Sequence, residues 1–151
     1  MKTDVPIADL VPHTGAMCWL DRVLDADADA LTAEATLRAD HLLVRDGLLG
    51  AAAGVEYMAQ AAAAWAGWQR HTRAAGPSGR IGFLLGTRRY HCSRAAFRVG
   101  EVLNIRVQRS FQADNGLGQF ECALHIDGHE VARASLNVFG PDDPAAFLNH
   151  D

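Results

Sequence analysis

The stretch LLGAAAGVEYMAQAAAAWAGW, residues 48–68, places one glutamate and one glutamine inside a run that is otherwise apolar and rich in alanine. Positions four apart share a helix face, so Glu56 and Gln60 point the same way. The remaining positions leave no polar side, which predicts a helix surrounded by protein and a buried Glu56. A buried carboxyl group that keeps its proton can serve as a general acid. Glu56 is therefore the first catalytic candidate.

Two other interpretations of this run concern structure alone. Glu56 is a structural acid if one of the arginines pairs with it. A membrane span is disfavoured, because the run contains Glu56, Gln60 and three glycines, and a span needs about 20 strongly apolar residues.

Length and composition indicate a single domain. The 151 residues can bury a real core, and we expect one domain over residues 1–151 with an irregular tail from residue 140 onward. The amino-terminal segment lacks the apolar stretch of a signal peptide. Three distant cysteines without CxxC spacing favour reduced thiols in a cytoplasmic protein. The scattered histidines predict no metal site.

Arginines are concentrated in one part of a chain whose net charge is −4. Between Glu56 and Glu101 there is no acid but there are seven arginines: Arg70, Arg73, Arg80, Arg88, Arg89, Arg94 and Arg98. We expect one basic surface that meets an anionic partner, such as a phosphate-bearing cofactor or an acidic carrier protein. Nucleic acid is disfavoured, because the domain is acidic overall and the segment lacks interleaved aromatics. A solvated edge that binds nothing is the alternative.

Outside the helix, apolar and polar residues alternate as in half-buried strands. Residues 31–38, 103–108, 120–126 and 132–138 show this period, and residues 17–24 and 80–90 supply two more strands. Turn signals lie at residues 25–29, 114–116 and 127–128, the last a tight hairpin. A long helix wrapped by a curved antiparallel sheet of about six strands is an α+β architecture, the hot-dog fold. Its exposed sheet edge predicts a dimer with substrate between the subunits.

Three segments carry a family resemblance. Glu56-Tyr57-Met58-Ala59-Gln60-Ala61 resembles the Glu-x-Met-Ala-Gln-Ala signature of bacterial 3-hydroxyacyl-[acyl carrier protein] dehydratases, the hot-dog enzymes of fatty acid synthesis. The segment PHTGAM at residues 12–17, followed by LDRV at 20–23, resembles their amino-terminal segment. The string GFLLGTRRY at residues 82–90 is similar to the small dehydratases of aryl-polyene pigment clusters.

The resemblance implies syn elimination of water from a 3-hydroxyacyl thioester, giving a trans-2-enoyl thioester without metal or redox cofactor. A neutral imidazole removes the α proton, and a protonated carboxylic acid, at the position of Glu56, protonates the departing hydroxyl. Backbone N–H groups around Ala53, Gly54 and Val55 are expected to stabilise the charge on the thioester oxygen, with Gly54 allowing close approach. Gln60 is expected to join Gly54 and Val55 in binding substrate.

The base is where the sequence departs from the pattern. Ordinary bacterial dehydratases carry a His-Phe-Pro-Gly motif before the helix, whereas residues 40–53 here read DHLLVRDGLLGAAA. His13, in the segment shared with the pigment relatives, and His41, shortly before the helix, are the two candidates. The remaining histidines are expected on the surface: His71, His91, His125, His129 and His150.

The resemblance also implies partners. An acidic acyl carrier protein, whose 4′-phosphopantetheine carries the substrate, is expected to bind at Arg88 and Arg89. In hot-dog dehydratases the base and acid of one site come from different subunits, so this chain is expected to form a homodimer, or a heterodimer with a related chain that supplies the histidine. Three functions stay open: an active dehydratase, a hot-dog acyl thioesterase, and a non-catalytic partner subunit or acyl-binding module. Three tryptophans are assigned to core packing, with an acyl tunnel as the alternative: Trp19, Trp65 and Trp68.

Overall fold

The computed structural model describes residues 4–72, 83–112 and 117–139, which form one α-helix and eight strands. The helix is α1 (Gly54–Thr72). The strands are β1 (Arg22–Ala26), β2 (Ala30–Thr36), β3 (Leu48–Gly50), β4 (Phe83–Cys92), β5 (Ala96–Arg98), β6 (Val102–Gln112), β7 (Leu117–Ile126) and β8 (His129–Phe139). The predicted turn at residues 114–116, the tail, Arg73, Arg80 and His150 lie outside the described residues.

The main sheet is antiparallel, with six strands in the order β1-β2-β6-β7-β8-β4, and α1 packs against it. The alternation read from the sequence sets the sheet's two faces: Leu31, Ala33 and Ala35 of β2 are buried, while the residues between them are only partly so. This confirms the predicted α+β architecture of a hot-dog fold. Because β1 and β4 are the edge strands, each has one unpaired side within the sheet.

Two turns follow the chemistry that the sequence predicts. The β7–β8 hairpin turns at Asp127 and Gly128, whose φ angles are 52° and 78°. Left-handed backbone at both positions is what a tight two-residue hairpin requires, and Asp-Gly tolerates it. The turn between β1 and β2 is closed by the carboxylate of Asp27, which accepts hydrogen bonds from the backbone N–H groups of Asp29 and Ala30.

The helix begins six residues later than the sequence pattern predicts. Leu48–Gly50 forms β3, which pairs with β5, and Ala51–Ala53 forms a short 3-10 turn before α1. An alanine-rich run favours helix locally, but pairing with a strand nearly fifty residues away holds this part of it extended. The predicted strand at residues 17–24 also starts later, at Arg22, because Gly15–Met17 forms another 3-10 turn.

The described residues leave part of the surface of helix α1 uncovered. Its buried side chains include Tyr57, Met58 and Gln60. A second stripe of residues stays partly exposed: Val55, Glu56, Ala59, Ala63 and Ala66. The expectation that protein surrounds the whole helix is therefore wrong for the described part of the single chain, because this stripe is left partly open.

The amino-terminal segment covers the carboxyl-terminal half of α1. A Cβ placed on Gly67 would lie 1.9 Å from the carbonyl oxygen of Leu10, so only glycine admits this close backbone approach. Leu10 is itself buried in the core, next to Trp65 and Trp68 in the same apolar cluster. The core therefore extends into the amino-terminal segment through Leu10.

Several general expectations concern thiols, metals and membranes. Cys18, Cys92 and Cys122 are free thiols, and burial raises the pKa of Cys122 to about 12. Among residues 4–72, 83–112 and 117–139, no three His, Cys, Asp or Glu side chains cluster as a metal site would need. In the same ranges, no helix is both long and apolar enough to cross a membrane.

Candidate active site

The structure brings together one histidine and the helix glutamate. His13 precedes the 3-10 turn Gly15–Met17, and its Nε2 lies 3.6 Å from Oε1 of Glu56 in the first turn of α1. The side chain of His13 is 27 % exposed and that of Glu56 is 39 % exposed, so the prediction of a buried Glu56 is wrong for the single chain. The distance is longer than a direct hydrogen bond. The pair is thus open to solvent or to a ligand on one side.

No arginine of the described residues pairs with Glu56. Its other polar contact is Gln60, whose Nε2 donates a hydrogen bond to Oε1 of Glu56 at 3.1 Å. The interpretation of Glu56 as a structural acid held by arginine therefore has no support in these ranges.

Gln60 ties the amino-terminal segment to the helix. Its Oε1 accepts a hydrogen bond from the backbone N–H of Trp19, and its Nε2 donates to the carbonyl of Met17, both at 2.9 Å. The backbone partners fix the orientation of the amide. A flipped amide would place its NH2 group against the Trp19 N–H and its oxygen against the Met17 carbonyl. Both amide hydrogens are therefore occupied, one by Met17 and one by Glu56, and Gln60 is fully buried.

His41 lies in a different environment from His13. Its Nδ1 accepts a hydrogen bond from the backbone N–H of Leu43 at 3.1 Å, and its ring packs edge-on against Trp19, with centroids 4.3 Å apart. Burial lowers the pKa of His41, which favours the neutral imidazole. In that form the hydrogen sits on Nε2, because the Nδ1 lone pair is occupied. His41 therefore has no free lone pair.

A cleft of about 130 Å³ opens beside His41 and includes Trp19, Asp21, Arg38 and Tyr57 in its lining. Burial raises the pKa of Tyr57 to about 12, so its hydroxyl stays protonated. Neither His13 nor Glu56 lines this cleft. Trp65 and Trp68 are buried in the core, as expected, whereas Trp19 is only partly buried.

The start of α1 is packed against β4. A Cβ on Gly54 would lie 2.2 Å from the hydroxyl of Tyr90, so the structure gives a packing reason for glycine at this position. The amide of Gly54 bonds to the carbonyls of Ala51 and Ala52. A thioester oxygen would have to compete with these two carbonyls for the Gly54 N–H. Val55, the next expected donor, lies in the first turn of α1.

Among the described arginines of the predicted basic surface, Arg94 is paired with an acid. Arg94 makes two hydrogen bonds to the carboxylate of Glu101, at 2.8 and 2.7 Å, so its charge is neutralised. Arg88 and Arg89 are exposed on β4, and Arg98 is exposed on β5. The described part of the predicted surface is therefore limited to these positions and Arg70. Of the histidines assigned to the surface, His71, His91 and His129 are exposed and His125 is partly buried.

Comparison with known proteins identifies the family. A family described as ApeP-like, the ApeP dehydratases, matches residues 5–149. This chain belongs to the ApeP-like dehydratase family. Among solved structures, the dehydratase heterocomplex ApeI:P from Xenorhabdus doucetiae matches this ApeP-like chain with a TM-score of 0.86 and 28 % identity, over 98 % of this chain and 100 % of the other.

More distant structures share the fold of this ApeP-like chain. The PaaI protein of the E. coli phenylacetic acid degradation operon has a TM-score of 0.62 and 13 % identity, covering 78 % of this chain and 81 % of its own. A hypothetical thioesterase from Streptococcus pneumoniae has a TM-score of 0.60 and 13 % identity, covering 80 % and 86 %. The comparison with curated proteins gave no match.

Proposed function

We propose that this ApeP-like chain dehydrates a 3-hydroxyacyl thioester carried by an acyl carrier protein, giving the trans-2-enoyl thioester, in aryl-polyene or fatty acid type biosynthesis. The observation that carries the proposal is the approach of His13 Nε2 to Glu56 Oε1 within one chain. Membership in a dehydratase family supports it. The reaction needs no cofactor of the protein's own, because the phosphopantetheine belongs to the substrate.

His13 is the proposed base. Syn elimination takes a hydrogen and a hydroxyl from the same face of two adjacent carbons, so the base and the acid must stand side by side. His13 and Glu56 have that arrangement. His41 does not suit the role, because its Nδ1 accepts the Leu43 N–H and its Nε2 then carries the hydrogen. His13 removes the α proton, and Glu56 gives its proton to the departing hydroxyl, which leaves as water.

Oε2 is the proposed proton-donating atom of Glu56. Oε1 accepts the hydrogen bond from Gln60, and the backbone of Met17 and Trp19 holds that amide in place. A proton on Oε1 would oppose the donated N–H, so the acidic hydrogen belongs on the other oxygen. Gln60 therefore does not contact the substrate in this proposal. It orients Glu56 instead. The amino end of α1 favours the negative charge that develops on the thioester oxygen.

A partner subunit is the second part of the proposal. Nδ1 of His13 is shielded from solvent and has no partner among the described residues, and one stripe of α1 beside Glu56 is partly exposed. A related hot-dog dehydratase, as in the ApeI:P heterocomplex, would cover this stripe and supply an acceptor for the Nδ1 hydrogen. That acceptor would leave the Nε2 lone pair free to act as the base. In a homodimer, a second copy of this chain would cover the stripe and supply the acceptor instead.

Two alternatives remain distinct from this proposal. In the first, the chain is a non-catalytic partner, which the missing His-Phe-Pro-Gly motif favours. In the second, it is a hot-dog thioesterase, which would release a free thiol from an acyl thioester.

The test uses a 3-hydroxyacyl thioester on carrier protein, incubated with the purified chain alone and with a related hot-dog dehydratase added. The enoyl product is followed by mass, and free thiol is followed in parallel. Loss of water with the chain alone, or a gain on mixing that disappears when this chain carries Glu56→Gln, supports the proposal. A gain on mixing that Glu56→Gln retains would establish the non-catalytic partner. Thiol release without loss of water would establish the thioesterase, and no effect in any arm would leave the non-catalytic role.

A further inference from the structure

A β-bulge near the end of β4 decides which of its side chains face the helix. Arg88 pairs with Ser135 and His91 pairs with Arg133, so Arg89 and Tyr90 together oppose the single residue between those two on β8. Arg89 has a φ of 57°, the left-handed backbone that such an extra residue can take. In a regular strand, alternation would turn Arg89 inward and Tyr90 outward. The bulge reverses this, leaving Arg88 and Arg89 exposed and Tyr90 half-buried against α1.

Tyr90 contacts the 3-10 turn Ala51–Ala53 and the first residue of the helix that follows it. Its hydroxyl donates a hydrogen bond to the carbonyl of Ala51, and it fills the space that a side chain on Gly54 would need. Burial raises the pKa of Tyr90, so the hydroxyl keeps the hydrogen that it donates. The Ala51 carbonyl also accepts the Gly54 N–H, and the Ala51 N–H donates to the carbonyl of Ala95 at 3.0 Å. Ala51, the first residue of the 3-10 turn before the helix, is thus held at both its carbonyl and its N–H.

We propose that Tyr90 is a positioning residue that holds the amino end of α1, and with it Glu56, in the geometry that the reaction needs, and that the β4 bulge serves to aim Tyr90 at this point. The inference rests on the proposed function. Glu56 lies two residues beyond Gly54, so a shift of the first turn moves its carboxyl group relative to His13. The same bulge leaves Arg88 and Arg89 exposed.

The test compares Tyr90→Phe, Gly54→Ala and the double variant with the wild type. Tyr90→Phe removes the hydroxyl and keeps the ring, and we expect kcat to fall roughly five- to tenfold with KM unchanged within about twofold, since one oriented hydrogen bond is lost. Gly54→Ala drives a methyl group into the Tyr90 hydroxyl, so its kcat should fall further. In the double variant that hydroxyl is absent, but the methyl group still lies 3.0 Å from Cδ1 of Leu124 and 3.1 Å from the ring carbon Cζ of residue 90, so kcat should recover only part of the way toward the level of Tyr90→Phe.

A second readout does not depend on activity. Amide hydrogen exchange of residues 51–56 should accelerate in Tyr90→Phe, because the hydrogen bond from the Tyr90 hydroxyl to the Ala51 carbonyl is lost. Thr72→Val is the matched control, since it removes a hydroxyl that donates to the Trp68 carbonyl at the opposite end of the same helix. It should leave kcat and the exchange of residues 51–56 unchanged.

The outcomes separate this inference from the proposed function. If the wild type dehydrates and Tyr90→Phe keeps its kcat, the positioning role is overturned and the proposed function stands. If no wild-type dehydration occurs, the proposed function fails, and exchange alone decides whether Tyr90 holds the helix start. Unchanged exchange at residues 51–56 overturns the inference in either case.

Discussion

Nε2 of His13 lies 3.6 Å from Oε1 of Glu56, although forty-two positions separate the two residues in the chain. The amide of Gln60 explains how they meet, because it binds the backbone on either side of Cys18 and donates to Glu56. His41, which is nearer to the helix in sequence, instead packs on Trp19 and bonds to its own loop. The fold therefore favours the more distant histidine as the partner of the glutamate.

The two histidines should differ in their effect on catalysis. We expect His13→Asn to lower kcat by about 10²- to 10⁴-fold, the range for loss of a general base, with the fold intact. His41→Asn should keep kcat within about tenfold, because its role is packing and loop structure. Steady-state kinetics on carrier-bound substrate measures both, with thermal unfolding as the check on folding. A larger loss in His41→Asn than in His13→Asn would reverse the assignment.

Gln60 should matter for stability as well as activity. Gln60→Ala leaves the Trp19 N–H and the Met17 carbonyl without their partner, and we expect a loss of roughly 2–4 kcal/mol in the free energy of unfolding. Gln69→Ala is the matched control, because among the described residues its amide bonds only to the carbonyl of exposed Asp27, and its loss should cost less than about 1 kcal/mol. Urea denaturation measures both. Equal losses would show that the buried hydrogen bonds of Gln60 contribute no more to stability than the exposed bond of Gln69.

The exposed arginines of β4 should act on carrier-bound substrate only. Arg88→Glu should raise KM for the carrier-linked thioester, more so at low salt, and leave the kinetics of a small thioester analogue unchanged. Arg89→Asn removes a charge while keeping a residue that tolerates the left-handed backbone, so it separates charge from bulge geometry. An equal loss on both substrates would point to a structural role for these arginines.

The Arg94–Glu101 pair predicts a pH-dependent contribution to stability. Hydrogen bonds from Arg94 hold the pKa of Glu101 below its ordinary value of 4.5. The carboxylate's contribution is therefore full above pH 4.5 and is lost as the pH falls through the lower folded pKa. We expect Glu101→Gln to lose about 1–2 kcal/mol of unfolding free energy at pH 7, with the difference shrinking in acid.

Its control is Glu130→Gln, which breaks an exposed pair with Arg133 on the same strand. That change should have little effect at any pH, because solvent screens the pair. A Glu101→Gln deficit that persists unchanged in strong acid would exclude the ionic explanation.

The sequence predicted the sheet better than the site. Alternation in β2, β7 and β8 survives in the structure, because burial on one face imposes a period of two. It could not predict the late start of α1, since only the distant pairing of β3 with β5 keeps Leu48 out of the helix. The β4 bulge was equally hidden, because strict alternation assigns Tyr90 to the outer face. Gly54 leaves the space that Tyr90 fills, but this relationship is visible only when the positions of α1 and β4 are known.

The choice between His13 and His41 also depended on tertiary structure. Both lie in loops, and the sequence gives no distance from either to Glu56. The buried amide of Gln60 ties the His13 segment to the helix. The sequence shows a glutamine inside an apolar run, but it does not show that this glutamine bonds to the backbone of the amino-terminal segment.

The assignment of Glu56 as the acid is tested most directly by Glu56→Gln, assayed with a 3-hydroxyacyl thioester on carrier protein under the conditions, alone or with partner, in which the wild type is active. Glu34→Gln, which alters a surface pair with Arg22, is the control. We predict loss of water with the wild type and Glu34→Gln, and loss of that activity with Glu56→Gln, which has no acidic proton to deliver. Full dehydration by folded Glu56→Gln would contradict the account.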